Sequence, residues 1–291
     1  MNFKQVIKKV LPRKVFGYLR SMVYPEKIGV LEERLSHLFL THYQGIADPN
    51  VSQKTAFKNA EFKVYSKYGG DGILAYIFSK IGVTNCTFVE IGVEDGTECN
   101  TANLSRNLGW RGLVIDANEE WAKKARDFYK EYKVKVAACL VTAENINQTI
   151  RDNNIEGEID LLSIDIDGND YWVWEAISVI NPRVVVMEYN TAMGHHSLAI
   201  PYNPAHRYQS DFYYGASLRA LSKLAVKKGY NLITCDSHGL DAFFVRRDVA
   251  QGKFRELSPE EAFYPNPYTL KKFGSLDEQF NQIKHLKFEE I

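Results

Sequence analysis

The sequence has 291 residues, of which 45% are hydrophobic and 25% are charged, as expected for an ordinary globular protein. Lysine plus arginine and aspartate plus glutamate each number 36, so the net charge is zero and no general attraction to nucleic acid or to an anionic membrane is expected. No apolar run approaches the roughly 18 residues of a membrane span, and no signal peptide is recognisable. The four dispersed cysteines form no C-x-x-C pair, which argues against a zinc knuckle or a disulfide framework. These features predict a cytoplasmic protein.

The first 56 residues are predicted to form a helical extension and a linker. Leucines recur at near-helical spacing up to residue 44, and residues 45–56 (GIADPNVSQKTA) have the composition of a linker. Six basic residues lie among apolar ones in the first twenty positions. Such a segment could lie on a membrane surface, but packing on its own domain or on a second subunit is the favoured interpretation, which leaves a homo-oligomer open.

From Asp71 onward, short apolar strands alternate with helices. Following a helix at DGILAYIFSKIG, strands are predicted at 87–92, 112–116, 134–140, 159–165 and 183–188, and helices near 98–107, 119–130, 144–153, 170–179 and 216–228. Strands at 230–236 and 240–246 are joined by only three residues, which requires an antiparallel hairpin. The pattern predicts a doubly wound, Rossmann-like α/β domain over residues 57–250, mostly parallel with a terminal hairpin. A helical tail over 251–291 is expected to pack on it.

The sharpest local feature is TFVEIGVEDGTECNTANL, where the first strand ends in a turn between Gly92 and Gly96 and a helix is predicted from about Thr97. A ligand of such a sheet lies beyond the carboxyl ends of the strands. A dinucleotide site needs G-x-G-x-x-G, and the middle glycine is missing. The turn carries carboxylates instead, and two like charges about 4 Å apart repel by roughly 4 kcal/mol at an effective dielectric of 20. This turn therefore disfavours a pyrophosphate and favours a cationic nucleoside, S-adenosylmethionine.

The second strand ends in Asp116, which is placed to accept hydrogen bonds from both ribose hydroxyls. Asn118 could contact the same nucleoside, and Val141 and Thr142 fall where an adenine edge would lie. The predicted cofactor-binding residues are Glu90, Gly92, Glu94, Asp95, Gly96, Thr97, Asp116, Asn118, Thr142 and Asp165. The alternative is an acidic turn that only complements a helix dipole, with Asp116 as an ordinary loop residue.

At this point the chain resembles the FkbM-type branch of class I S-adenosylmethionine-dependent methyltransferases. The resemblance runs from about Tyr65 to Arg247 and rests on YSKYGGDGILAYIF, EIGVEDGT, VIDAN, LLSIDIDGNDYWVWEAI and VVVMEYN. The D-x-D-G-x-D block that begins at Asp165 is its most specific motif, whereas the first motif departs from the family's Gly-Ala-Asn-x-Gly. The resemblance implies O-methylation, often of sugars, glycans or natural-product hydroxyls.

Methyl transfer to a hydroxyl requires an acceptor oxygen held about 3–3.5 Å from the methyl carbon and a group that removes its proton. Asp165 and Asp167 follow the fourth strand, and Glu188 and Asn190 end the fifth. One interpretation is a Mg²⁺ site, with Asp167, Glu188 and Asn190 as ligands. The other is direct binding of cofactor and acceptor by the carboxylates, with a histidine as general base. The predicted catalytic residues are Asp165, Asp167, His195 and His196.

The two histidines begin a long aromatic and polar loop, continuing through PYNPAHRYQSDFYYGAS, which is expected to be a substrate lid. Tyr171 or Trp172 could form a wall on which a sugar stacks, and at least one aromatic of that helix is expected in the core. His238 is expected to be a turn residue near the rim of the site. Two other classes of function stay open: a non-catalytic scaffold with this fold, and a nucleotide-dependent oxidoreductase.

Overall fold

The computed structural model describes residues 51–209 and 211–291. The basic N-terminal segment and the first part of the expected linker lie outside the described residues, so a contact with a membrane or a second subunit through that segment stays a prediction. Within the described part of the chain, no helix combines the length and the apolar character needed to cross a bilayer.

A seven-stranded sheet forms the centre of the domain. In chain order, the strands of the described residues are β1 (Thr87–Ile91), β2 (Arg111–Asp116), β3 (Val134–Ala138), β4 (Gly157–Ile164), β5 (Ile180–Glu188), β6 (Leu198–Ala199), β7 (Tyr230–Cys235), β8 (Asp241–Arg246) and β9 (Glu289–Glu290). The large sheet has the order β3-β2-β1-β4-β5-β8-β7, and β6 and β9 form a separate small sheet. The first five strands are parallel, whereas β8 runs antiparallel to both β5 and β7. This is the Rossmann-like class I methyltransferase fold, which confirms the predicted fold class.

Helices cover both faces of the sheet. Those of the described residues are α1 (Gln53–Ala60), α2 (Gly70–Ile81), α3 (Ala102–Arg106), α4 (Glu119–Tyr129), α5 (Ile146–Asp152), α6 (Asp170–Ala176), α7 (Leu218–Lys228), α8 (Arg247–Ala250), α9 (Pro259–Ala262), α10 (Pro267–Phe273) and α11 (Leu276–Asn281). Neighbouring residues of a strand point to opposite faces. Val89 and Ile91 of β1 therefore pack in one core with α5, α6 and α7, and Phe88 packs in a second core with α1, α2, α3 and α4.

Two helix starts differ from the prediction. Helix α1 begins at Gln53, inside the expected linker, because Ser52 caps it and Phe57 is fully buried in the domain core. Helix α3 begins at Ala102 rather than near Thr97. The cause is the buried carboxylate of Glu90, which accepts hydrogen bonds from the Asn100 and Thr101 backbone N–H groups and from the Thr101 hydroxyl, so that the preceding segment is a loop.

A buried ion pair ties together the amino-terminal edge of the sheet. Arg183 at the start of β5 donates to Asp160 of β4 at 2.7 Å, and both side chains are buried. Asp160 also accepts the backbone N–H groups of Thr84, Asn85 and Cys86, which lead into β1. The polar groups at this edge are thus bonded to one another, and the opposite, carboxyl edge carries the open cavity.

Candidate active site

A cavity of about 960 Å³ opens at the carboxyl ends of β1 to β5. It lies where the strand order reverses between β1 and β4, the position at which doubly wound sheets bind ligands. Small-molecule sites commonly have volumes of roughly 300–1,000 Å³, so the cavity can hold a nucleoside-sized ligand together with a second molecule. Its walls come from residues 91–95, 97–98, 115–118, 139–141, 165–169, 188, 204 and 206–208, together with Lys67.

Gly92 joins the first loop to the end of β4. Its φ is 83°, and a Cβ at this position would lie 1.6 Å from the carbonyl oxygen of Asp165. Only glycine permits this approach. Gly92 was predicted from the sequence to bind the cofactor, and the structure shows that its contact with β4 already requires glycine at this position. This contact brings the predicted cofactor loop and the predicted catalytic carboxylates into one cavity.

Asp116 at the end of β2 organises the neighbouring loop. Its Oδ2 accepts the backbone N–H of Glu94 and its Oδ1 accepts that of Asn118, both at 2.8 Å. The Asn118 side chain caps α4 by accepting two backbone N–H groups. Both residues line the cavity, and a carboxylate oxygen with one hydrogen bond can still accept a second from a ligand hydroxyl.

The acidic turn after β1 also faces the cavity. Glu94, Asp95 and Thr97, three of the predicted cofactor-binding residues, line it. Asp95 accepts hydrogen bonds from the Thr97 hydroxyl at 2.6 Å and from its backbone N–H at 3.0 Å, and these bonds lower the pKa of the Asp95 carboxyl. Glu94 has a φ of 48°, a strained value for a residue other than glycine.

Three predicted cofactor-binding residues do not line the cavity: Glu90, Gly96 and Thr142. Glu90 lies beneath the loop that it holds. Gly96 packs on the ring of Tyr129, where a Cβ would approach to 2.8 Å. Thr142 exchanges hydrogen bonds with Asn145 ahead of α5. In these positions they support the loops, whereas the neighbouring Val141 reaches the cavity wall.

Three carboxylates meet at the ends of β4 and β5. Oxygen atoms of Asp165, Asp167 and Glu188 all lie within 4.8 Å of one another, close enough for a cation to bridge them. Burial, reinforced by the charge of Asp170, raises the pKa of Asp165 to about 6. Burial and the charge of Asp165 raise the pKa of Asp167 to about 7. The same causes raise the pKa of Glu188 well above its ordinary value.

Asp170 holds the loop that presents this cluster. Its carboxylate is buried and accepts the backbone N–H groups of Ile166 and Gly168, each at 2.8 Å. Asp167 between them has a φ of 52°. Strained backbone of this kind persists where surrounding contacts enforce it, and it is concentrated at functional sites. The D-x-D-G-x-D block therefore supplies two cavity carboxylates and one that fixes their loop.

Lys67 lines the same cavity as the carboxylate cluster, and it was not among the site residues predicted from the sequence. Burial lowers the pKa of its ammonium group, but the charges of Asp165, Glu188 and Asp167 outweigh this effect and raise the pKa overall. Lys67 belongs to the loop between α1 and α2, about a hundred residues before the cluster. No spacing rule links such distant positions, so only the family-like segment YSKYGGDG pointed to this region.

Asn190 does not join the predicted metal set. It is buried, its Nδ2 donates to the carbonyl oxygens of Phe212 and Tyr214, and its Oδ1 accepts the backbone N–H of Ala192. The amide therefore joins the end of β5 to the loop between β6 and α7. Of the predicted ligands Asp167, Glu188 and Asn190, only the first two line the cavity.

His195 and His196 also lie outside the cavity lining. A short 3-10 helix (Thr191–Met193) follows β5 and carries both imidazoles towards the C-terminal tail. There His195 packs on Phe263 with a centroid distance of 4.9 Å, and His196 stacks on Phe280 at 4.4 Å. Although His195 and His196 follow β5 closely in the sequence, they do not line the cavity.

The loop between β6 and α7, which was expected to be a substrate lid, reaches the cavity through Pro204, His206, Arg207 and Tyr208. The Nε2 atom of His206 is buried without a hydrogen-bond partner. Tyr208 is 44% exposed. Burial of the rest of the side chain raises the pKa of its phenol, and the charges of Asp167 and Glu188 in the carboxylate cluster raise it further. His206 and Tyr208 thus line the cavity, although neither was among the site residues predicted from the sequence.

The aromatic residues of α6 serve the core. Trp174 and Tyr171 are buried, as expected of at least one of them, and the indole N–H of Trp172 donates to the carbonyl oxygen of Ile200. None of the three lines the cavity, so the expected sugar-stacking wall is not formed by this helix. His238 lies in the β7–β8 turn, as expected, and stacks on Tyr68 at 4.3 Å.

No protein-family model matches this sequence, and no curated protein matches it. Among solved structures, the chain is similar to an O-methyltransferase from Bacillus cereus in complex with SAH, with 20% identity, a TM-score of 0.40, and coverage of 70% of this chain and 94% of that chain. It is also similar to an S-adenosylmethionine-dependent methyltransferase from Clostridium acetobutylicum, with 12% identity, a TM-score of 0.38, and coverage of 72% and 98%. At these identities the similarity concerns the fold alone.

Proposed function

We propose that this protein is an S-adenosylmethionine-dependent methyltransferase that methylates a hydroxyl group of a sugar or a related small molecule. The observation that carries the proposal is the single cavity that joins the ends of β1, β2 and β3 to the carboxylates after β4 and β5. The part of the cavity at the ends of β1, β2 and β3 suits a nucleoside, and the part at the carboxylates after β4 and β5 suits a polar acceptor. The cofactor and the acceptor would therefore meet above β1 and β4.

The charge of the cavity favours this cofactor. Seven aspartate and glutamate residues line the cavity against two lysine and arginine residues. A pyrophosphate would be repelled there, whereas a sulfonium and an ammonium group would be attracted. Asp116 would accept hydrogen bonds from the ribose hydroxyls, and Leu140 and Val141 would lie beside the adenine. Bound S-adenosylmethionine supplies the electrophilic methyl group.

The acceptor end has the chemistry of a carbohydrate site. Asp165 and Asp167 can accept hydrogen bonds from neighbouring hydroxyls, and the exposed ring of Tyr208 can stack on a sugar face. Asp167 is the candidate general base. Its carboxylate faces the cavity, and a pKa of about 7 suits proton removal near neutral pH.

A hydroxyl acceptor could be held through Mg²⁺ or by the carboxylates directly. The cavity favours direct binding for two reasons. The amide of Asn190, the neutral ligand of the expected metal set, is bonded elsewhere, and Lys67 already presents a positive charge to the cluster. Asn190 therefore does not complete the expected metal set, and the proposal assigns the catalytic roles to the side chains.

Isothermal titration with S-adenosylhomocysteine and with NADH tests the proposal. Binding of S-adenosylhomocysteine without binding of NADH is the expected result. Binding of neither ligand would favour a non-catalytic scaffold, and binding of NADH alone would favour an oxidoreductase. Incubation of the protein with S-adenosylmethionine and a panel of sugars, followed by mass spectrometry for an added methyl group, then tests the acceptor class.

A further inference from the structure

Lys67 is held rigidly at the wall of the cavity. The segment before it is fixed by the buried carboxylate of Asp71, whose Oδ2 accepts the backbone N–H groups of Val64, Tyr65 and Ser66 at 2.7–2.8 Å. The residue after it, Tyr68, stacks on His238 with an interplanar angle of 2°. With both neighbouring segments anchored, the backbone of Lys67 has little freedom, and its side chain faces the cavity.

The three carboxylates of Asp165, Asp167 and Glu188 line the same cavity as Lys67. Their oxygens lie within 4.8 Å of one another, and no ion pair within 4.0 Å involves any of them among the described residues. Lys67 lines the same cavity, and its positive charge favours the ionised forms of Asp165 and Asp167 and so opposes the repulsion among the three carboxylates. Among the described residues no ion pair joins Lys67 to these carboxylates, so its charge acts on them through space.

We propose that Lys67 is the resident cation of the Asp165–Asp167–Glu188 cluster and that it keeps divalent metal ions out of this cluster. A divalent ion bound between these oxygens would share the cavity with the Lys67 ammonium group, which would repel it. Such an ion would also lack the oxygen of Asn190, which is bonded to the backbone of Ala192. This inference concerns the free protein and does not depend on the proposed methyl transfer.

The inference predicts that removing the ammonium group creates a metal site. Isothermal titration with Mn²⁺ at pH 8 compares the full-length protein with Lys67→Met, which keeps most of the length of the side chain without its charge. We expect the dissociation constant for Mn²⁺ to fall at least tenfold in the variant. Lys58→Met, at an exposed position of α1, serves as the matched control and should bind Mn²⁺ as the unmodified protein does.

A second substitution locates the gained site. In the double variant Lys67→Met/Asp167→Asn, the added affinity should disappear, because one of the three carboxylates is gone. The proposal is overturned if the unmodified protein binds Mn²⁺ as tightly as Lys67→Met, if Lys67→Met shows no gain, or if the gain persists in the double variant. Lys67→Gln repeats the test with a polar side chain, and thermal unfolding checks that each variant is folded.

Discussion

Asp116 is the residue through which the proposed cofactor is best tested. Its carboxylate lines the cavity and also holds the backbone N–H groups of Glu94 and Asn118. We expect Asp116→Ala to weaken binding of S-adenosylhomocysteine by about 1–3 kcal/mol, because charge-assisted hydrogen bonds to the ribose are lost and the loop is loosened. Isothermal titration measures the change. Asp127→Ala, an exposed carboxylate of α4, is the control, and equal affinities for the two variants would contradict the assignment.

Asp167 is the residue on which the proposed chemistry depends. Asp167→Asn preserves the shape of the side chain but removes its ability to take a proton, so the turnover rate should fall by roughly 10²- to 10⁴-fold while S-adenosylhomocysteine still binds. Initial rates of methyl transfer to a sugar that the unmodified protein accepts measure this effect.

His195→Ala is the informative comparison for Asp167→Asn. The histidine was a candidate base from the sequence, but it packs on Phe263 outside the cavity lining. We expect this variant to retain most of the activity. Loss of turnover in His195→Ala together with its retention in Asp167→Asn would assign the base to the histidine instead.

At the scale of elements, the contact between the ends of β1 and β4 brings the loop after β1 next to the carboxylates that follow β4. Gly92→Ala should be strongly destabilising, because a positive φ costs about 1–3 kcal/mol and the new Cβ would also clash with the Asp165 carbonyl. Gly229→Ala is the matched control: its φ is 88°, but nothing lies within 4 Å of the place that the new methyl group would take. Urea unfolding should show the larger loss for Gly92→Ala, and equal losses would mean that the contact is not limiting.

The elements were more predictable than the side chains between them. Each central strand is apolar on both faces, and such a pattern is visible within a short stretch of sequence. The strands and the antiparallel hairpin could therefore be predicted from the sequence. The start of α3 could not be predicted in this way, because it depends on a buried hydrogen bond between Glu90 and Thr101 that no local sequence pattern reveals. The positions of Lys67 and of His195 depend on the path of loops, which tertiary contacts determine. Asp165, Asp167 and Glu188 were predictable because parallel strands bring their carboxyl ends to one edge.

At the scale of the whole molecule, the polar groups at the two edges of the sheet have opposite effects on stability. At the amino edge, Asp160 is paired with Arg183 and accepts three backbone N–H groups, and although burial alone would raise the pKa of its carboxyl, these bonds lower it overall. At the carboxyl edge, crowded carboxylates have raised pKa values because they are buried close to one another. The first arrangement stabilises the charged form in the folded state, whereas the second makes it unfavourable. Binding sites commonly carry such a cost in stability.

This contrast predicts how the stability of the ligand-free protein depends on pH. The pKa of Asp167 is about 7 in the folded protein against an ordinary value of 3.8, so between these values the folded state holds a proton that the unfolded state has lost. The stability of the ligand-free protein therefore rises as the pH falls from 8 to 5.5. Asp160 contributes no change in this range, because a carboxyl with a lowered pKa loses its effect only below about pH 4.

Asp167→Asn isolates the contribution of this carboxyl from those of the other titratable groups of the protein. Because the amide carries no charge, the variant should be more stable than the unmodified protein at pH 8, and the difference should shrink at pH 5.5. Urea unfolding at the two pH values measures both quantities, with Asp127→Asn as the exposed control. A variant that is less stable at pH 8, or a difference that grows on acidification, would show that the Asp167 carboxylate stabilises the folded protein, contrary to the crowding of charge described for this cavity.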